Sequence, residues 1–196
     1  MNKDRKMLEK TLAELSTGAE GFSLPEWEEL PDIELYMDQV LTLISKYLSM
    51  FNEVSGAEKL ITPSMINNYV KLGTIPPPIK KRYSRVHMAY LLVVCSLKQT
   101  LDMSTIKRLM PVGMSEEETR DTYNSFAVNQ KRALSHFTRD LRSMAKPILD
   151  ENRSGDLVMQ VAASASIFKI LTERICAVPE QEREAEAESG ARTDKN

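Results

Sequence analysis

The sequence predicts an all-α protein with one small non-helical wing, and three observations carry that reading. Apolar residues recur at helical spacing through most of the 196 residues. Helix-capping residues stand where those stretches begin and end. Aromatic residues are only 6% of the chain and glycines number 7, too few for the strands and tight turns of an all-β fold.

Leu8, Leu12 and Leu15 predict a short helix over 3–16 that Gly18 can end. Gly18, Gly21, Pro25 and Pro31 then mark 18–31 as a loop. Ile33, Met37, Val40, Leu41, Ile44, Leu48 and Phe51 form the stripe of an amphipathic helix from about Asp32 to Phe51, and a polar connection containing Ser55-Gly56 follows. Thr62-Pro63 is a strong helix start, and Gly73 a suitable left-handed end, for a helix over 62–72. Pro76, Pro77 and Pro78 forbid helix in 74–83, which reads as an extended excursion. Ser84 can cap a strongly apolar helix over about 85–100, and Ser104 a short one to Met110. Ser115 with Glu118 makes a capping box for a long helix bearing Tyr123, Phe126, Ala133, Phe137, Leu141, Met144 and Ile148. The last helix, 157–177, is apolar on nearly every side, which calls for burial in a core or between subunits. Pro179 onward, with no apolar anchor, reads as a solvated, disordered tail.

These elements suggest an N-terminal helix and loop (1–31), a head (32–110), a helical effector or dimerisation region (111–178) and the tail (179–196). A chain this long buries about 70% of its unfolded surface and needs no disulfide or metal to hold it. Cys95 and Cys176 cannot make a disulfide framework and suggest a reducing, cytoplasmic setting. The start, MNKDRKMLEK, has no apolar signal core. The longest uncharged apolar runs, Val86–Leu97 and Leu157–Phe168, fall short of the ~18 residues a membrane span needs, so no membrane partner is expected.

The formal net charge of −2 conceals an asymmetry. Residues 1–59 carry net −6, whereas 60–110 hold 8 basic side chains against Asp102 alone, net +7. Such a segment favours polyanions unless the acidic leading segment folds over it and neutralises it. Within it, Ile66, Tyr69 and Val70 should point inward from the 62–72 helix, leaving Ser64, Met65, Asn67, Asn68 and Lys71 outward. Asparagine can bond the major-groove edge of adenine bidentately, and the groove, about 12 Å wide, admits such a helix. Ser64, Asn67 and Asn68 are therefore the candidates for base contacts. Lys71, Lys80, Lys81, Arg82, Tyr83 and Arg85 are the candidates for the phosphate backbone. The plainer alternative is a capped surface helix followed by a solvated basic loop.

The order of these features resembles the DNA-binding head of the mercury-resistance-regulator (MerR) superfamily. Ile66, Tyr69, Gly73 and Pro77 stand for its recognition helix and wing, Arg82-Tyr83-Ser84, Leu91 and Val94 for the next helix, and Met103-Ser104-Thr105-Ile106 for a third segment. More closely, ITPSMINNYVKLGTIPPPIKKRYSR together with LPDIELYMDQV resembles a bacterial family known as domain of unknown function number eighteen thirty-six. The resemblance implies a winged helix-turn-helix head, a sequence-specific transcriptional regulator of double-stranded DNA, and a homodimer formed through the C-terminal helices. It names no effector. The paired cysteines of metal-sensing relatives are absent, so no metal or other cofactor is expected. A non-catalytic interaction module that binds an acidic partner is the other reading.

Enzymatic signals are weak, and no catalytic residue is expected. Ser104 and Lys107 have the spacing of an acylating serine, but the companion motifs are missing and a helix cap explains Ser104 more simply. His136 and Asp140 share a helix face without further ligands, and His87 reads as a polar surface residue. Asn152-Arg153-Ser154 matches a glycosylation sequon that a chain with no signal core would not use.

Overall fold

The computed structural model describes residues 3–52, 60–150 and 154–193; the Ser55-Gly56 connection and most of the 152–154 sequon lie outside them. The protein is mostly helical, and no strand occurs among the described residues. The helices are α1 (Lys3–Gly21), α2 (Met37–Tyr47), α3 (Ser49–Asn52), α4 (Pro63–Lys71), α5 (Arg85–Leu97), α6 (Met103–Leu109), α7 (Glu116–Asp150) and α8 (Ser154–Thr193), with a short 3-10 turn at Trp27–Glu29. The chain divides into two compact units, Met1–Ser154 and Gly155–Asn196.

The first unit is built around α5. Met88 through Cys95 are all buried, so this helix is enclosed on every side, as a stretch with no charge for 12 residues requires. Val40 and Ile44 of α2, Ile66 and Tyr69 of α4, Ile106 of α6 and Tyr123 of α7 complete the core. Burial there pushes the Cys95 thiol up to about 12, although Lys98 nearby opposes the shift. It also pushes the Tyr69 phenol up to about 12.

Long-range hydrogen bonds pin the ends of this core. The Tyr123 hydroxyl donates to the Pro25 carbonyl at 2.8 Å, and the Trp27 amide donates to Asn124 Oδ1 at 3.2 Å. The Tyr90 hydroxyl donates to the Pro111 carbonyl at 2.7 Å. The core thus runs across residue 110, where the sequence reading separates head from effector region.

Several local expectations hold. The Thr62 hydroxyl accepts the Met65 amide in front of Pro63, and Gly73 takes φ +63 after α4. Ser115 and Glu118 exchange both capping-box bonds, which holds the Glu118 carboxyl below its usual range.

Others change. α1 continues through Gly18 to Gly21, because Ser16 and Ala19 are buried and α1 packs on α7, outweighing the glycine penalty of about 1 kcal/mol. α2 begins at Met37 rather than Asp32, because Leu35 is held in an antiparallel bridge to Tyr83, with amide-to-carbonyl bonds of 2.8 and 2.9 Å. That extended step turns Ile33 outward, 66% exposed, although the sequence stripe places it inside. Asp102, not Ser104, caps α6: its carboxylate accepts the Thr105 amide at 2.9 Å and both the Ser104 and Thr105 hydroxyls, which holds it far below the usual carboxylate range.

The second unit is the helix α8. It continues through Pro179 to Thr193, where the sequence reading expects a disordered tail. The Glu- and Ala-rich residues 180–188 are strong helix formers, which accounts for the extension. Its apolar Val158, Met159, Ile167, Phe168, Ile170, Leu171 and Ile175 are exposed in the single chain.

Candidate nucleic-acid interface

The site is assembled from α4 and the excursion that follows it. α4 is fixed from beneath by Ile66 and Tyr69, which are buried, and this leaves Ser64, Asn67, Asn68 and Lys71 exposed along its outer face. Met65, expected on the same face, is partly buried against the core. The Tyr69 carbonyl accepts the Thr74 amide at 2.8 Å and the Ile75 amide at 3.4 Å, so the chain leaves α4 without a loose joint. Lys107 of α6 brings its ammonium alongside Gly73. A cation there faces the carbonyl end of α4, where the helix dipole favours it.

Within the acidic leading segment, α1 packs on α7. Asp32 and Glu34, in the segment before α2, do neutralise part of the basic stretch. The Arg82 guanidinium lies 3.7 Å from the Glu34 carboxylate and 4.8 Å from the centre of the half-exposed Tyr36 ring. Arg85 donates through Nε to the Leu30 carbonyl at 3.2 Å, lies 3.5 Å from the Asp32 carboxylate and 5.7 Å from the centre of the Trp27 ring, and keeps only 17% of its side chain exposed. The sequence reading places Arg85 on the phosphates; its guanidinium is instead spent inside the protein. Tyr83, expected there too, is 2% exposed, because its backbone pairs with Leu35 and its ring meets His87 edge-on at 5.5 Å.

The exposed cations of the excursion, Lys80 and Lys81, sit at its tip. Ile79 and Arg82 exchange both backbone hydrogen bonds, at 3.1 and 2.9 Å, around the two residues Lys80 and Lys81. Both lysines have positive φ, 51° and 63°. Positive φ at both central positions marks a type I′ hairpin turn, normally Asn-Gly or another small pair. Lysine in the left-handed region costs about 1–2 kcal/mol per residue. Nothing in the composition of 74–83 signals this turn, since it lacks glycine, asparagine and aspartate after Thr74.

His87 is the residue the sequence reading misplaces most. It is buried, not on the surface, and its ring links α5 to the excursion. Nδ1 accepts the Ser84 amide at 3.0 Å and lies 2.9 Å from the Ser84 hydroxyl; Nε2 lies 3.2 Å from the Pro77 carbonyl. Burial holds this imidazole below the usual histidine range, and the Pro77 bond opposes that shift only in part. No group of three or more metal-ligating side chains occurs among the described residues, and no helix among them is long and apolar enough to cross a membrane.

These features define a helical domain with a bare polar helix beside a short basic hairpin. The family model described as Domain of unknown function (DUF1836) matches residues 25–127, and the chain belongs to that family. The matched stretch begins at Pro25 and ends just past Tyr123 and Asn124, the residues whose hydrogen bonds close the core. No curated protein and no solved structure matches the chain.

Proposed function

We propose that this protein is a sequence-specific, DNA-binding transcriptional regulator with a MerR-like winged helix-turn-helix head. α4 enters the major groove with Ser64, Asn67 and Asn68 toward the bases, and the 74–83 excursion acts as the wing. Lys71, Lys80 and Lys81 hold phosphates, and Arg82 joins them when it leaves Glu34. The protein works in the cytoplasm as a homodimer through residues 115–177, reading two half-sites a whole number of helical turns apart.

The observation that carries this reading is the Lys80-Lys81 turn. Two cations occupy the positions of a tight hairpin where lysine is disfavoured, directly after a helix whose outer face is polar and exposed. Strain of this kind, held at an exposed charged tip, points to use rather than to packing.

Selection of bound duplexes from a random pool tests the reading. The expected result is an enriched, symmetric site, with log affinity falling against log salt at a slope of about −3 to −4 for three or four phosphate contacts. Equal affinity for every polyanion, with no enriched site, overturns it. That outcome favours a module docking an acidic protein, for which the exposed Ile79 and Tyr36 beside Arg82 would supply apolar contacts.

A further inference from the structure

We infer that His87 is a positioning residue for the basic hairpin: neutral, it ties the Pro77 limb to the start of α5, and protonation releases that limb, so the grip of Lys80 and Lys81 on a polyanion weakens in mild acid. The polyanion part of this inference rests on the reading given under Proposed function; the tie itself does not.

The two limbs of the hairpin are held by different means. The returning limb is fixed by backbone pairing, Tyr83 to Leu35. The outgoing limb contains Pro76, Pro77 and Pro78, which have no amide hydrogen to donate to any neighbour. Between the buried Ile75 and the Ile79–Arg82 pair, the proline carbonyls are the groups left for anchoring, and the Pro77 carbonyl is taken by His87 Nε2 at 3.2 Å.

The chemistry of the ring fixes its protonation. The Ser84 backbone amide is a donor only, so Nδ1 must present its lone pair, and the proton then sits on Nε2, where it can be donated to Pro77. An imidazolium carries a proton on both nitrogens. Nδ1–H would face the Ser84 N–H, donor against donor, and the ring would have to turn out of its slot. At this third helical position a capping box ordinarily uses Glu or Gln. His87 does the same task with a group that titrates near neutrality.

The surroundings do little to hold a charged ring. From the excursion the Tyr83 ring packs edge-on, and Arg82 is turned to Glu34 and Tyr36. On α5 itself, Arg85 is turned to Leu30 and Asp32. α2 directs the apolar Val40 and Ile44 into the core. Asp32, Glu34 and Glu116, the last from the first turn of α7, line a hollow of about 180 Å³ with Ser84, Arg85 and Val86, and His87 is not part of its wall.

Three measurements on the full chain test the inference. Nitrogen NMR of the His87 ring should show the Nε2–H tautomer at neutral pH; the Nδ1–H tautomer overturns the tie without need of any variant. Amide hydrogen exchange at Ile79 and Arg82, corrected for intrinsic rates, should lose about tenfold in protection from about pH 7 to about pH 5 in the natural chain, and little in His87→Gln. Glutamine can accept from Ser84 and donate to Pro77 but does not titrate. Equal loss in both proteins overturns the tie. With a mixed-sequence DNA duplex as probe, the natural chain should weaken in mild acid relative to His87→Gln, against the general strengthening that added positive charge brings. Protection that falls in the natural chain with no duplex binding in either protein keeps the tie and overturns the DNA reading alone.

Discussion

Lys80 and Lys81 lie within five residues of Arg85, and the two kinds of cation live under opposite conditions. The lysines are exposed and sit on backbone that lysine disfavours. Arg85 is mostly buried, hydrogen-bonded to Leu30, close to Asp32 and set against Trp27. Arg82 stands between them, half-exposed beside Glu34 and Tyr36. The local charge of +7 therefore overstates what this face offers to a partner. A guanidinium that satisfies a buried carbonyl contributes to the fold; an ammonium held out on a strained turn contributes to the fold nothing that a neutral residue would not.

The contrast can be broken most decisively at Arg85. Arg85→Ala should cost about 2–3 kcal/mol of stability, since it removes a charge-assisted bond from the Leu30 carbonyl and uncovers Trp27. Urea unfolding measures this, and an unchanged midpoint would erase the distinction between the two kinds of cation. At the tip the signs reverse. Replacing Lys80 by Asn and Lys81 by Gly should raise stability by about 1–2 kcal/mol, seen as a higher melting temperature, and flatten the salt dependence of duplex binding by about two contacts' worth. A fall in melting temperature would show that the lysines are not strained.

The pH dependence separates the two groups again. The His87 pKa in the folded protein lies below its unfolded value of about 6.5, so its contribution is whole above that pH and is lost as pH falls through it toward the folded value. His87→Gln should remove that component of a stability-against-pH curve. The smallest effect belongs to the intermediate case. Glu34→Gln should change stability by less than about 0.5 kcal/mol, because the pair is exposed, yet steepen the salt slope by up to about 0.9 as Arg82 is freed.

Much of the fold was legible in the sequence, wherever the determining contact is local. Thr62-Pro63, Gly73 and the Ser115–Glu118 box act within one helical turn, and the inward set of α4 follows from spacing alone. The misreadings have long-range or competing causes. Leu35 pairs with Tyr83, far along the chain, and that bridge costs α2 its first turn and turns Ile33 outward. Asp102 outcompetes Ser104 as a cap because a carboxylate accepts several bonds at once. The buried His87 answers to a carbonyl in another segment. The limit of periodicity is plainest in α5 and α8, whose 12-residue uncharged runs look alike in sequence. Neighbouring helices enclose the first, while the second keeps most of its apolar side chains exposed in the single chain. Around the candidate site, the exposure of Ser64, Asn67, Asn68, Lys71 and both lysines was legible; the partial burial of Met65, the withdrawal of Tyr83 and Arg85, and the turn that displays the lysines were not.

The enclosure of α5 also divides the thiol chemistry of the molecule. Cys95 is buried and its ionisation pushed to about 12, so almost no thiolate forms there at neutral pH and no reagent reaches it while the core is closed. Cys176, partly exposed on α8, is then the thiol that alkylating agents and oxidants meet first. A maleimide should attach once per folded chain and twice per unfolded one, so the second attachment clocks the opening of the core.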